Sequence, residues 1–255
     1  MCHGHLDPLV SAARRTTAEA ELEKLASVMP VGEGLRRVAA IDLGTNSTHL
    51  LIASVDPQLR TFQVLLAEKS TTRLGERDSD TGDLSAEAME RARLALRHCR
   101  ELASSHDVEE IVCVATSAMR EAPNGLEFLQ EVERDFGLKT EVISGPEEAR
   151  LIYLGVLSGM DFAEHPHYIL DIGGGSTELI LADSGDARAL TSSRVGAVRL
   201  QRDFIRQEPL EPKRVEFLRA FIQGSLEPAV EKVRRRLEPD ERPVLVATSG
   251  TAMAA

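Results

Sequence analysis

The sequence predicts a mixed α/β fold built from two similar halves, and three observations indicate it. Residues 42–53 match residues 171–182 at an offset of 129, with Asp, Gly, Ser-Thr, Leu and Ala at equivalent positions. Residues 114–117 and 246–249 share Val-Ala-Thr-Ser at the similar offset of 132. Three strands followed by alternating helices and strands are typical of a mixed sheet covered by helices. We therefore expect two halves that face each other across a ligand-binding cleft.

Apolar runs and alternating patterns define the strands. They are predicted at residues 37–42, 48–55, 61–68, 110–115 and 140–143 in the first half, and at 168–172, 177–182, 188–192 and 244–247 in the second. The first three strands form a meander because short turns separate them. The strands at 110–115 and 244–247 are almost entirely apolar, which predicts that both are buried.

Capping residues and helical periodicity define the helices. Ser85 is the predicted N-cap of a helix that runs to about residue 103, and Pro146 stands at the first position of another. A further helix is expected at 125–136. Pro212 begins a long helix whose predicted buried face comprises Val215, Leu218, Ile222, Leu226, Val230 and Val233.

Composition narrows the class of protein and of partner. The 255 residues are 42% hydrophobic and 28% charged, as in a globular protein. A net charge of −11, no tryptophan and 4% aromatic residues argue against a nucleic-acid partner. The sequence contains no membrane-length apolar run and no signal peptide, and its three cysteines form no CxxC pair. We predict a cytoplasmic protein without a membrane partner.

The repeat also predicts the domain division. We assign an N-terminal extension to residues 1–35, a first domain to 36–158 and a second domain to 159–255. After its Thr-Ser loop the first half continues with a helix, a strand and a helix, whereas few residues follow the corresponding loop of the second half. This comparison predicts a second domain that is incomplete at its C-terminus.

The turn after Asp171 has the composition of an anion site. It consists of Gly173, Gly174, Gly175, Ser176 and Thr177. Glycines leave no Cβ in the way, so backbone N–H groups can surround the oxygens of an anion. Asp171 and Glu178 would repel a bare anion, but Mg²⁺ between them and a phosphate resolves this, because Mg²⁺ takes few protein carboxylates. The alternative is that Asp171 only caps the turn.

Several charged residues follow strand ends or begin helices. Arg120 stands just beyond a strand, at the edge where open α/β sheets bind ligands. Lys69 and Arg73 also follow a strand and either guide an anionic chain or are simply solvated. Glu147 and Glu148 occupy the first turn of a helix, where both complement the helix dipole. Spacing alone does not choose between these two glutamates.

Five motifs occur in order across residues 42–251 and together resemble one family. They are Asp-Leu-Gly-Thr-Asn-Ser, Ala-Thr-Ser-Ala-Met-Arg, Ser-Gly-Pro-Glu-Glu-Ala-Arg, Asp-Ile-Gly-Gly-Gly-Ser-Thr-Glu and Thr-Ser-Gly-Thr. The series resembles the exopolyphosphatase and guanosine pentaphosphate phosphatase family. That family belongs to the structural class of actin, sugar kinases and Hsp70, in which ligand binds between two duplicated domains. The resemblance implies a phosphoanhydride hydrolase that uses Mg²⁺ or another divalent cation.

The resemblance also implies roles for individual residues. Glu148 would be the general base for the attacking water, and Arg120 would contact a substrate phosphate. Asp171 would be a metal-associated carboxylate, with Glu178 as an additional one. The phosphate-binding set would comprise Gly44, Thr45, Asn46, Ser47, Gly173, Gly174, Gly175, Ser176, Thr177, Ser249, Gly250 and Thr251, with Lys69 and Arg73 added from their position.

The substrate and the reaction stay open at this level. Inorganic polyphosphate and guanosine pentaphosphate share the same terminal linkage, and the lack of an aromatic pair near the loops favours polyphosphate. One alternative is a small-molecule kinase of the same fold. Another is a non-catalytic regulator that binds a nucleotide or alarmone. The oligomeric state is equally open, with a homodimer as the alternative to a monomer.

Overall fold

The computed structural model describes residues 34–162, 165–205 and 209–253, which contain two mixed β-sheets with helices packed on them. Most of the predicted N-terminal extension, residues 1–33, lies outside the described residues. Within the described part, no helix is both long enough and apolar enough to cross a membrane.

The first sheet has five strands in the order β3-β2-β1-β4-β5. The strands are β1 (Arg36–Leu43), β2 (Ser47–Asp56), β3 (Thr61–Thr71), β4 (Glu110–Ala115) and β5 (Thr140–Val142). The first three pair antiparallel, as the predicted meander requires, and β4 and β5 then add in parallel. All five predicted strands are therefore confirmed, with ends that differ by a few residues.

Four helices follow in this part of the chain. They are α1 (Ala86–Ser105), α2 (Ser117–Glu121), α3 (Gly125–Phe136) and α4 (Gly145–Gly159). The side chain of Ser85 accepts a hydrogen bond from the Ala88 N–H at 3.2 Å, which confirms it as an N-cap. Helices α1 and α3 share one core with the sheet, in which Leu96 and Phe128 are almost completely buried. The short helix α2 was not predicted.

The second sheet repeats the order of the first four strands, as β8-β7-β6-β9. Its strands are β6 (His167–Ile172), β7 (Thr177–Ala182), β8 (Ala187–Ser193) and β9 (Val244–Thr248), and its helices are α5 (Ala197–Phe204), α6 (Pro212–Arg234) and α7 (Ser249–Met253). Strands β6 to β8 pair antiparallel, and β9 pairs parallel with β6. The two sheets thus have the same pattern of directions.

Helix α4 connects the two sheets. It follows β5 in the chain, yet it packs on β7 and β8 of the second sheet. Its Ala149 and Tyr153 lie in one core with Ile169 and Ile180. Because Glu148 belongs to the first turn of α4, this crossover places that glutamate between the two sheets. The division of domains near residue 158, at the end of α4, stays a prediction.

Three expectations about burial were wrong or only partly right. In β4, Cys113 and Ala115 are buried as predicted, but Val112 is 47% exposed. In β9, Val244 and Leu245 are 49% and 62% exposed, because this strand lies at the edge of its sheet and the helices on that sheet cover β7 and β8. In α6, Val233 is buried, but Val230 is 40% exposed and the other four predicted face residues are half-buried. Only the C-terminal turns of α6 press closely on the sheet.

Candidate active site

Two glycine-containing tips meet across one cavity. The first tip, residues 44–47, joins β1 to β2, and the second tip, residues 173–176, joins β6 to β7. A Cβ at Gly174 would lie only 3.1 Å from the Cβ of Thr45. The cavity has a volume of about 890 Å³, and its lining includes Asp42, His49, Lys69, Thr116, Glu148, Asp171, both tips, Ser249, Gly250 and Thr251. The sequence correctly placed the two tips face to face.

The carbonyl oxygens of the second tip accept hydrogen bonds from residues of helix α5. The oxygens of Gly173 and Gly174 accept from the backbone N–H groups of Ala197 and Arg199, both at 3.0 Å. The Gly175 oxygen accepts from Nε of Arg199 at 2.9 Å. Because a trans peptide directs its N–H away from the preceding C=O, the N–H groups of residues 174–176 face the opposite side. That is the side of the cavity that these residues line.

The first tip is held in a similar way by the loop after β3. The Thr45 oxygen accepts from the Gly75 N–H at 2.8 Å, and the Asn46 oxygen accepts from the N–H groups of Thr72 and Arg73 at 3.1 and 2.9 Å. By the same geometry, the N–H groups of residues 46 and 47 face the cavity. The structure therefore presents backbone donors from both tips to one volume.

The backbone N–H of the first glycine in each tip forms a hydrogen bond within the turn itself. Gly44 donates to the Ser47 oxygen and Gly173 to the Ser176 oxygen, both at 3.0 Å. The sequence predicted that the N–H of Gly173 surrounds the anion, and this prediction was wrong because the turn already uses that donor. Thr177 also lies outside the cavity lining, and its buried hydroxyl donates to the Val195 oxygen.

Carboxylates concentrate where β1 and β6 end. Asp42 lines the cavity, and its Oδ1 atom is buried without a hydrogen-bond partner. Burial, reinforced by the charge of Asp171, raises the pKa of Asp42 to about 6. Asp171 accepts a hydrogen bond of 2.6 Å from the Thr248 hydroxyl. Asp42 occupies in the first half the repeat position that Asp171 occupies in the second, but its place at the cavity was not predicted.

Glu178 lies behind the second tip and is only 1% exposed. Ser192 donates a 2.7 Å hydrogen bond to its Oε1 atom. Burial is the main cause that raises the pKa of Glu178 to about 7, against hydrogen bonds from Ser192 and Ser176. Its backbone pairs with that of Asp171 across β6 and β7, so the two predicted metal-associated carboxylates are neighbours.

The geometry separates the two glutamates of α4. Glu148 lines the cavity, and burial together with the charge of Glu178 raises its pKa to about 8, against the opposing charge of Arg120. Glu147 instead forms an ion pair of 2.8 Å with Arg150, which lowers the pKa of Glu147. Of the two glutamates, only Glu148 therefore combines access to the cavity with a raised pKa.

Arg120 lies against Glu148 without lining the cavity itself. Its Nη2 atom is 3.4 Å from Oε2 of Glu148, and its Nη1 donates to the Ile143 oxygen at 2.5 Å. The second bond anchors the guanidinium to the end of β5. In this arrangement Arg120 supports the ionised form of Glu148.

Lys69 and Arg73 have different positions. Lys69 lines the cavity beside its cross-strand partner His49, whose Nε2 shares a 2.8 Å hydrogen bond with the hydroxyl of Ser47. The Arg73 side chain is 62% exposed and lies 3.7 Å from Glu76. Arg73 contributes to the first tip through its backbone N–H, and its guanidinium does not line the cavity.

The carboxylates suit a cation that is shared with a ligand. In the described ranges, no three His, Cys, Asp or Glu side chains are close enough to form a metal site by themselves. Mg²⁺ typically takes one or two carboxylates and fills the remaining positions with water and phosphate oxygens. The unpartnered Oδ1 of Asp42 and the raised pKa values of its neighbours indicate negative charge that a cation would balance. The residues present therefore fit a divalent cation at this position.

Comparisons with known proteins show which family this chain resembles. The sequence model of the Ppx/GppA phosphatase family matches residues 51–255. Exopolyphosphatase 2 of Mycobacterium tuberculosis is 36% identical over 206 residues, which are 78% of this chain and 64% of that protein. The guanosine-5'-triphosphate,3'-diphosphate pyrophosphatase of Photobacterium profundum is 34% identical over 194 residues, which are 76% of this chain and 38% of that protein.

A solved structure is similar as well. The crystal structure of an exopolyphosphatase from Cytophaga hutchinsonii superposes with a TM-score of 0.77 at 30% identity, covering 85% of this chain and 67% of that one. The chain thus spans less than two thirds of the length of the two curated relatives above. Motifs, fold and comparisons agree, and the chain belongs to the Ppx/GppA phosphatase family.

Proposed function

We propose that this chain hydrolyses the terminal phosphoanhydride bond of inorganic polyphosphate and releases orthophosphate. The observation that carries the proposal is the meeting of both tips and Glu148 in one cavity. Two sets of backbone donors suit the terminal and penultimate phosphates. The half-buried carboxylate of Glu148 beside them suits the activation of a water molecule. The names of the relatives, exopolyphosphatase and guanosine pentaphosphate-type pyrophosphatase, support the same reaction class.

The tips bind and orient the phosphate chain. N–H groups of residues 174–176 surround the oxygens of one phosphate, and those of residues 46 and 47 hold the next. Such donors are most effective on the charge that develops at the equatorial and leaving oxygens. Ser249, Gly250 and Thr251 close the cavity at the end of β9. Lys69 attracts the anionic chain from the rim.

Asp42, Asp171 and Glu178 would hold a divalent cation with the substrate. When bound, the cation supplies positive charge that offsets the charge of the phosphates. Asp171 and Asp42 present their carboxylates at the cavity, whereas Glu178 lies one layer behind them. In this role Glu178 orients Ser176 and adds negative charge to the site.

Glu148 acts as the general base. The carboxylate takes a proton from water as the water oxygen forms a bond to the terminal phosphorus. The bond from phosphorus to the bridging oxygen breaks, and the shortened chain leaves with its electrons. A pKa of about 8 makes Glu148 a stronger base than an ordinary glutamate. The charge of Arg120 opposes this rise and favours the ionised form, which is the form that can accept the proton.

Guanosine pentaphosphate is the second candidate substrate, and the Photobacterium profundum relative supports it. The described lining of the cavity contains no Phe, Tyr or Trp on which a guanine ring could stack. Polyphosphate needs no such platform, so it remains the favoured substrate.

The matching strand orders of the two sheets support a duplication of one α/β unit. The proposed domains are residues 36–158 and 159–255. The repeat explains the shared chemistry of the tips, since both phosphate sites would derive from one ancestral turn.

The decisive experiment compares Glu148→Gln with Glu147→Gln. Phosphate release is measured from polyphosphate and from guanosine pentaphosphate, with Mg²⁺ or with a chelator. We expect Glu148→Gln to lower turnover at least about 100-fold, the lower end of the contribution that general-base catalysis makes. Glu147→Gln should keep most of the activity, because Glu147 pairs with Arg150. Equal losses in both variants would remove Glu148 from this role. In a parallel assay with ATP, formation of ADP only when a small hydroxyl acceptor is present would identify a kinase instead.

A further inference from the structure

Arg199 links the second tip to the first half of the molecule. Its backbone N–H and its Nε donate to the oxygens of Gly174 and Gly175 at 3.0 and 2.9 Å. Its Nη2 atom lies 2.5 Å from Oε2 of Glu121, the last residue of α2. The same Nη2 is 3.4 Å from the hydroxyl of Ser117 at the start of α2. One side chain therefore contacts both sides of the cleft.

The ion pair is shielded from water. The side chains of Arg199 and Glu121 are 16% and 13% exposed. Burial acts to raise the pKa of Glu121, but the hydrogen bond and charge of Arg199, together with the charges of Arg194 and Arg77, outweigh it, and the pKa is lowered. Shielded pairs of this kind are costly to break on one side, because the remaining charge is left without a partner.

Helix α2 connects the ion pair of Arg199 and Glu121 to Glu148. Arg120, the residue before Glu121, is the one that contacts Glu148. The last two residues of α2 thus connect Glu148 to the second tip. The carbonyl oxygens of the first tip accept hydrogen bonds from backbone N–H groups of the loop at 72–75. The first tip is therefore positioned by residues of its own half of the molecule.

We propose that Arg199 and Glu121 are positioning residues that fix the second tip at its distance from the first tip and from Glu148. The catalytic consequence rests on the proposed phosphate hydrolysis, whereas the structural consequence does not. Without the Nε bond, the Gly175 carbonyl is released and the N–H groups of the tip lose their common direction. Without Glu121, the Arg199 guanidinium loses the charge that holds it in place.

The chain offers a matched control in Arg194. It also contacts Glu121, with its Nε 3.3 Å from Oε1, but its side chain is 77% exposed. Exposed pairs contribute little to stability. Arg194→Leu therefore removes a charge next to Glu121 and leaves the bond between Arg199 and Gly175 in place.

The first test is amide hydrogen exchange of the ligand-free chain, measured by NMR. The reporters are the N–H groups of Gly173, Ala197 and residue 199, which form the hydrogen bonds of the tip. We expect Arg199→Leu to speed their exchange at least about 10-fold, the scale of a lost hydrogen bond to a charged group. Arg199→Lys should be intermediate, and Arg194→Leu should match the wild type. Unchanged reporters in both Arg199 variants would overturn the proposal.

The second test is kinetic and separates positioning from stability. We expect Arg199→Leu to lower kcat/KM for polyphosphate about 100-fold, the scale of a displaced catalytic group. The double variant Glu121→Arg with Arg199→Glu restores opposite charges across the halves but cannot donate to Gly175. Compared with Arg199→Leu, the double variant should recover thermal stability but keep a low kcat/KM. Recovery of both thermal stability and kcat/KM would refute a role for the Nε bond. A wild type that releases no phosphate would refute the proposed function, and the exchange result would still decide the positioning role.

Discussion

The first and second tips have the same backbone turn and carry different side chains. In each, the leading glycine donates to the oxygen of the serine three residues later, at 3.0 Å. Ser47 of the first tip shares a hydrogen bond with His49, whereas Ser176 of the second donates to Glu178. Burial lowers the pKa of His49 and raises that of Glu178, so it opposes the charged form of both. The two tips thus share the same turn, but only the second tip has a carboxylate beside its serine.

The tips also differ in how much space they have. A Cβ at Gly175 would lie 2.5 Å from Oγ of Ser117 and from Oγ1 of Thr45, closer than real Cβ contacts. Thr45 is the first-tip residue at the position that Gly174 occupies in the second tip. Side chains of the first half therefore fill the space that the glycines of the second tip leave free. This complementarity explains why one tip has three glycines and the other has one.

The largest expected effect comes from adding a side chain at Gly196, which lies directly against the backbone of the second tip. A Cβ at Gly196 would lie 2.5 Å from backbone atoms of Gly174 and Gly175, which cannot move without moving the tip. We expect Gly196→Ala to lower kcat/KM about 100-fold and to lower the free energy of unfolding by about 1–3 kcal/mol. Phosphate-release assays and denaturant unfolding measure the two quantities.

The matched control is Gly75→Ala in the corresponding loop of the first half. A Cβ there would meet methyl groups of Thr45 and Val198 at 2.7 and 2.8 Å, and these side chains can rotate or shift. We expect a smaller loss in both measurements. A loss as large as that of Gly196→Ala would contradict the view that the second tip is the tighter one.

The second prediction concerns the residues beside the two serines. Glu178→Gln removes a buried carboxylate next to Asp171, and we expect an activity loss of about 10–100-fold, as for residues that orient metal-site groups. His49→Gln retains a side-chain amide that can bond to Ser47, so it should lose no more than a few-fold. Steady-state phosphate release at saturating Mg²⁺ compares the two. Similar losses would show that the tips do not differ in chemistry.

The third prediction follows from the pKa shifts of Glu178, Glu148 and His49. Glu178 and Glu148 have raised pKa values. Between about pH 4.5 and about pH 8, these two glutamates therefore bind more protons in the folded protein than in the unfolded chain. Stability contributed by these groups is therefore lost as pH rises through that window. His49 has a lowered pKa and acts in the opposite direction just below pH 6.5.

We expect the Tm of the metal-free protein to fall between pH 5 and pH 8. The fall should be shallower in Glu178→Gln and steeper in His49→Gln, by about 2–4 °C for each kcal/mol involved. Differential scanning fluorimetry in the presence of a chelator measures this. Parallel curves for all three proteins would contradict the assigned shifts.

The smallest expected effect separates Lys69 from Arg73. Lys69 lines the cavity, whereas the Arg73 guanidinium is exposed beside Glu76. We expect Lys69→Gln to raise KM for polyphosphate a few-fold, with a reduced effect at high salt because exposed charges are screened. Arg73→Gln should leave KM within about twofold, since its backbone N–H still holds Asn46. The reverse order of KM values would show that the phosphate chain leaves the cavity past Arg73.

Most helices and strands could be predicted because local chemistry defines them. The bounds of α3 agree with the prediction, and Gly137 ends that helix in a left-handed conformation with φ +66°. Ser85 caps its helix as expected, and Ser144 caps α4. The short helices α2, α5 and α7 were not predicted, because a few residues show little periodicity. The consequence for the site was large, since α2 carries both Arg120 and Glu121.

The sequence by itself determined the glycine turns, the helix caps and the repeated strand pattern. These depend on residues that are neighbours in the chain, so they could be predicted. The family resemblance selected Glu148 over Glu147, and the tertiary structure gives the physical reason, because Glu148 lines the cavity. Only the tertiary structure decided that Arg73 acts through its backbone and that Arg199 reaches Glu121 across the cleft. Each of these depends on which segments pack together in the folded chain, and for Glu148 the deciding contact is the packing of α4 on the second sheet.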